Sequence, residues 1–335
     1  MSPPRPARPG WVAGVLRVVL AFGLLGLVIA LNRAQVRSVL HHRPDGVLFA
    51  IGFGLYLSGL LLAFLRWYLL VRVLKMPFRI RDALRLGFIG TLFNLVIPGA
   101  VGGDVVKAAY LCREQERQAQ AVATIVVDRI LGLLGLFGLA GVAGLLSWGT
   151  LDLGAKRLVV IVWVLIGVGL SVLAVATSPA VHRRPARSAR KEKRRVELAE
   201  AAASYRGHPA ALTLALWMAA ATHGLNVLAF FAADAALFRP VPTLAEHCVI
   251  VPLVLFSTAI PLPLAALGLS EGVSASLFRL AHFDGGAVAM MGFRVLQYAG
   301  AILAAFVYLP NRGRVRTLIR EADIPEIEPV PGPTV

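Results

Sequence analysis

The sequence predicts an all-α, polytopic integral membrane protein, and three observations carry that prediction. Of its 335 residues, 58% are hydrophobic and only 16% charged, with a mean hydropathy of +0.74; soluble domains carry about 25% charged residues. The apolar residues fall in runs of about 20, the length an α-helix needs to cross a bilayer core. The positive excess, 34 Lys+Arg against 18 Asp+Glu for a net charge of +16, is concentrated between those runs. In a soluble chain such basicity points to nucleic acid. Segregated this way it is a topology signal instead, and no nucleic-acid partner is expected.

Six runs are long enough to span: Val12 to Leu31, Val47 to Leu65, Ala121 to Leu146, Leu158 to Thr177, Ala210 to Leu237 and Ala287 to Leu309. The first is too long for a signal peptide and lacks a small-residue cleavage pattern. The second runs into Arg66-Trp67-Tyr68, a basic and aromatic string that reads as a membrane interface. Two further stretches, Leu84 to Leu111 and His247 to Phe278, are apolar but broken in the middle by Pro and Gly. Their halves are too short to cross alone. Broken backbone persists at membrane depth only inside protein or beside a watery cavity, so both read as re-entrant hairpins.

Lys and Arg place the segments Arg66 to Arg85, Val181 to His208 and the tail after Pro310 on the cytoplasmic side. Arg33, Arg37 and Arg43 fit that scheme less well. Both termini are then cytoplasmic, in a cell inner membrane. The expected organisation is one transmembrane domain over 12–309, a basic cytoplasmic loop over 178–208 and a cytoplasmic tail over 310–335. Within the domain, 12–146 and 158–309 repeat one order: helix, helix, broken hairpin, helix. The first unit starts inside and the second outside, so the repeat is inverted. Arg129 follows Asp104 by 25 residues, and Arg294 follows Glu271 by 23. Inverted repeats with paired broken helices point to a transporter site near the midplane.

Ionisable residues inside spans each cost ~2.5–3.5 kcal/mol and so require a reason. Asp128 and Arg129 neighbour one another in the third run but point about 100° apart, so each needs a partner elsewhere, with Asp104 and Glu271 the available acids. Two roles stay open for the arginines: structural ion pairs locking hairpins to spans, or bidentate contacts to an anionic headgroup. In Pro98-Gly99-Ala100-Val101-Gly102-Gly103-Asp104, Pro98 ends a helix, the glycines permit tight backbone and Asp104 is placed to cap the next half-helix. Pro261, Pro263, Gly268 and Glu271 play the same parts in the second hairpin. Asn94, His223, Asn226, Asp234 and Gln297 read as hydrogen-bonding groups between helices. Gly132, Gly135, Gly138, Gly141 and Gly144 recur every three residues, which drifts around a helix and permits close packing on several sides. Cys112 and Cys248 are isolated, no metal or other cofactor is implied, and no Gly-Lys-Ser/Thr loop for ATP is present.

The strings Asn94-Leu95-Val96-Ile97-Pro98-Gly99 into Gly102-Gly103-Asp104-Val105-Val106-Lys107, and Val127-Asp128-Arg129-Ile130-Leu131-Gly132, resemble the lysylphosphatidylglycerol synthase transmembrane, or flippase-like, family. That family's later glycine-and-acid element is similar to Gly268 to Gly272, although Ala265 and Ala266 stand where a glycine-rich turn is expected. The resemblance covers nearly the whole chain. It implies the lipid-translocating part without the soluble aminoacyl-transfer domain, for which the residues after the last span leave no room. The implied site takes Asn94, Pro98, Gly99, Gly102, Gly103, Asp104, Lys107, Asp128, Arg129, Gly268, Glu271 and Arg294. Its partners are membrane lipids, a phospholipid or a polyprenyl-linked lipid. The alternative reading is a non-transporting partner that presents lipid to a separate glycosyl- or aminoacyl-transferase. An intramembrane enzyme would have to draw on Asp104, Asp128, Glu271 and His223.

Overall fold

A computed structural model describes residues 23–41 except 24 and 28, then 44–96, 102–114, 117–149, 153–178, 189–258 and 266–321. The described residues form helices and turns, without strands. In chain order these are α1 (Arg33–His41), α2 (Gly46–Val73), α3 (Ile80–Val96), α4 (Gly102–Glu114), α5 (Gln118–Leu146), α6 (Leu153–Thr177), α7 (Ala189–Gly207), α8 (Pro209–Leu237), α9 (Leu244–Ser257), α10 (Leu269–Phe278) and α11 (Gly286–Glu321). Five are long and apolar enough to cross a membrane: α2, α5, α8, and the stretches Lys156–Val175 of α6 and Gly286–Gly313 of α11. The first expected span, Val12 to Leu31, falls largely outside the described residues, as do Pro98, Gly99, Pro261, Pro263 and Ala265.

Local chemistry sets the helix starts. Asp45 caps α2 by accepting the N–H groups of Val47 and Leu48 at 2.9 and 3.2 Å. Thr243 and Glu246 form a reciprocal capping box at the start of α9. Pro209 opens α8, where a missing N–H costs nothing.

The halves repeat one plan. Span, half-helix, half-helix and span are α2, α3, α4 and α5 in the first half and α8, α9, α10 and α11 in the second. The packing matches as well. The equivalent helices α2 and α8 lie along one another; α5 packs on α9 as α11 packs on α3; α5 packs on α8 as α11 packs on α2. Two apolar cores follow. One joins Trp67, Leu70, Phe78, Leu86 and Leu131 with Tyr205; the other joins Tyr56, Phe230, Val251, Phe278 and Phe293.

Three sequence expectations change. The segment 178–208 is not simply a basic loop, because its residues 189–207 are helix α7. Glu197 and Glu200, three apart and so on one face, both face the start of α5, Glu197 buried and Glu200 exposed. Glu197 accepts the N–H of Ala119 at 2.8 Å, satisfying an otherwise unpaired donor at the start of α5. Glu200 bonds Arg117 at 3.1 Å and Gln120 at 2.9 Å. Arg66 and Trp67 do not face outward: α2 continues to Val73 and buries both. Finally, α11 continues past Leu309 and through Pro310 to Glu321, so the start of the expected tail is helical.

Candidate functional site

The ionisable residues of the spans collect where each hairpin meets the long helix that follows it. In the first half, α3 and α4 approach so closely that a Cβ on Gly103 would sit 2.7 Å from the carbonyl carbon of Gly90 and 2.8 Å from its Cα. Glycine serves here through its small size, since both residues are helical. Asn94, on α3, reaches across and accepts the Gly103 N–H at 2.7 Å. The cap of α4 is therefore Asn94. Asp104, the cap expected from sequence, lies inside the first turn and accepts instead from Arg129 Nε on α5 at 2.5 Å. Arg129 is 46% exposed and Asp104 15%.

Asp128, adjacent to Arg129 but turned to another face of α5, accepts from Arg66 Nε at 2.8 Å in a pair only 7% and 14% exposed. Lys107, one turn after Asp104, places its Nζ 4.8 Å from the centroid of the Trp67 ring, a cation–π contact. It lies within electrostatic reach of Asp128, Asp104, Arg129 and Arg66. The node thus holds three cations and two carboxylates, one positive charge in excess. His223 on α8 lies beside this node, within electrostatic reach of Arg66 and Asp128. Arg66 Nη1 and His223 Nδ1 are buried there without a hydrogen-bond partner.

In the second half, Gly268 takes the left-handed backbone at φ 84°, which favours glycine. Its N–H donates to Glu271 Oε2 at 2.7 Å, closing the start of α10. Glu271 also accepts from Arg294 on α11, whose Nη2 donates to Ser270 Oγ at 2.6 Å. Here Glu271 is 0% and Arg294 3% exposed. The two acid-to-arginine spacings read from sequence are thus two real ion pairs, Asp104–Arg129 and Glu271–Arg294, built by equivalent elements.

Of the sequence-predicted residues, Asn94, Gly102, Gly103, Asp104, Lys107, Asp128 and Arg129 gather around the first hairpin, and Gly268, Glu271 and Arg294 around the second. Arg66 was missed. It closes an apolar run and so resembles an interfacial residue; the signal was the unpaired Asp128, which demanded a cation. His247 was also missed. It pairs with Asp234 at 3.1 Å across the turn between α8 and α9, and two ionisable residues near adjoining helix ends were the available signal. Much of the glycine series of α5 packs closely, on different sides: a Cβ would clash with Ala219 at Gly135 and Val159 at Gly144 and crowd Trp163 at Gly141, while Gly138 faces open space.

Fold and site together define a polytopic all-α membrane protein with two pairs of shorter helices, each tied to a long helix by an acid–arginine pair. Its sequence matches the model of the lysylphosphatidylglycerol synthase TM region over residues 12–305, and the chain belongs to that family. No individual curated protein matches it. The family associates the chain with membrane lipid.

Proposed function

We propose that this protein moves a lipid with an anionic headgroup between the leaflets of a cell inner membrane, without covalent chemistry and with both termini cytoplasmic. The first hairpin is the headgroup's point of entry. The half-exposed Asp104–Arg129 pair carries this reading. Arg129 shares one face of α5 with Val122, Val126 and Leu133, which are 44%, 49% and 40% exposed; offsets of seven, three and four residues lie on one helical stripe. A guanidinium against hydrocarbon costs several kcal/mol. An amphiphile removes that cost when its phosphate meets Arg129 and its chains lie on the valines and Leu133. The positive excess of the node, with Lys107 nearby, suits an anion, and guanidinium binds phosphate through two parallel hydrogen bonds.

The repeat supplies a mechanism. In transporters built from inverted halves, the two halves exchange conformations around the site. One half with a half-exposed ion pair and the other with a buried one is the asymmetry expected of a state open to one side. In the opposite state Arg294 would meet the headgroup and Arg129 would be sealed. Purified protein in liposomes, with fluorescent phosphatidylglycerol and phosphatidylcholine tested separately, checks this. Faster leaflet exchange of the anionic lipid than in protein-free liposomes is expected. No acceleration of either lipid, with binding retained, would favour a lipid-presenting partner of a transferase.

A further inference from the structure

The second half holds a buried titratable pair that the lipid site does not use. Asp234 lies in the last turn of α8 and His247 in the first turn of α9. Both side chains are 0% exposed, with Nε2 of His247 at 3.1 Å from Oδ2 of Asp234. The rings of Phe231, Phe278 and Phe230 surround the imidazole at 5.0, 5.1 and 6.1 Å.

Hydrogen-bond chemistry fixes the proton count. His247 Nδ1 is 3.0 Å from the carbonyl oxygen of Thr243, which only accepts, so Nδ1 carries a hydrogen. Nε2 faces a carboxylate oxygen, so one more proton lies between them, on either atom. With it, the pair is neutral overall. Without it, a carboxylate would face a nitrogen lone pair, leaving one uncompensated negative charge in an apolar cage. The second oxygen of Asp234, Oδ1, is already buried without a hydrogen-bond partner. Neighbouring charges are committed elsewhere. Glu246 bonds the N–H of Thr243 at 2.7 Å, Asp45 caps α2 and meets Arg239 at 3.5 Å, and Arg279 meets Asp284 at 3.7 Å. The titratable group acting on Asp234 is His247.

We infer that the Asp234–His247 pair is a proton-exchange site that holds the second hairpin closed. While the shared proton is in place, α9 stays docked on α8. When α9 separates and water enters, the proton passes to solvent, and the ionised, hydrated Asp234 opposes reclosure. Opening of this hairpin is thereby coupled to release of one proton. The inference concerns the hairpin alone and is tested without lipid transport.

Cys248, beside His247 and half-buried in the second core, is the reporter. In the full chain carrying Cys112→Ser, the rate of maleimide labelling at Cys248 is measured across pH. It is divided by the rate for a short peptide of the same local sequence, which removes the ionisation of the thiol itself. Above about pH 6.5, where a hydrated imidazole is neutral, release of one proton on opening makes this ratio rise about tenfold per pH unit. Asp234→Asn keeps a hydrogen-bond donor for Nε2 but has no titratable proton, so over the same range its ratio stays flat. A flat wild-type ratio overturns the inference, and so does a slope that persists in Asp234→Asn. Should that variant not fold, the wild-type slope alone decides.

Discussion

The two hairpins are built from equivalent parts yet hold their charges differently. Asp104 and Glu271 both stand in the first turn of the second half-helix, and each meets an arginine of the following span. In the second half the acid also closes the helix start, through the Gly268 N–H, and nothing of the pair is open to solvent. In the first half that capping duty has passed to Asn94, which leaves Asp104 to Arg129 alone, and Arg129 stands half exposed. The difference separates two meanings of an intramembrane ion pair. A sealed pair is a clasp, strongly destabilising when broken because the survivor is a buried lone charge. A half-exposed pair leaves a survivor that its surroundings can still reach, so breaking it costs less than breaking the sealed one, and it is the pair a ligand could reach.

Stability measurements on substituted proteins test that separation. The largest effect is expected from Arg294→Ala, which strips Glu271 of its partner and costs about 3–5 kcal/mol. Arg129→Ala is expected to cost less than that, because Arg129 is 46% exposed where Arg294 is 3%. Thermal unfolding in detergent reads both, and equal losses would break the distinction between clasp and site. Next comes Gly103→Ala, whose Cβ meets the Gly90 backbone and costs about 1–3 kcal/mol through overpacking. Gly272→Ala in the second hairpin meets nothing within 4 Å and is expected to be neutral or, by helix propensity, stabilising by up to about 1 kcal/mol. Asn94→Ala is expected to cost about 1 kcal/mol from a lost cap, with Asn94→Asp retaining most of the wild-type stability because its carboxylate still accepts the Gly103 N–H.

The helical architecture was legible because membrane spans announce themselves by length and apolarity. The pairing of the arginines with Asp104 and Glu271 was also legible, since a charge in hydrocarbon demands a partner and few were on offer. What sequence did not yield was direction around a helix. Arg66 lies next to the aromatic string and reads as interfacial until the continuing helix turns it toward Asp128. Asp104 looks like a cap because its own position permits it; only the close approach of α3 and α4 hands that bond to Asn94. Glu197 and Glu200 look like scattered acids in a basic loop until a helix places them together against the start of α5. Each depends on tertiary approach, which leaves no periodic trace in the chain.

The central claim is that Arg129 is exposed in order to meet a headgroup, and the doubly exchanged variant Asp104→Arg with Arg129→Asp tests it most directly. The exchange preserves an ion pair between α4 and α5 but puts a carboxylate where the cation stood. If the pair serves the headgroup, leaflet exchange of an anionic lipid in liposomes falls to the protein-free rate while thermal stability stays near that of the wild type. Exchange at the wild-type rate in a folded double variant would contradict the account and make Asp104–Arg129 a second clasp.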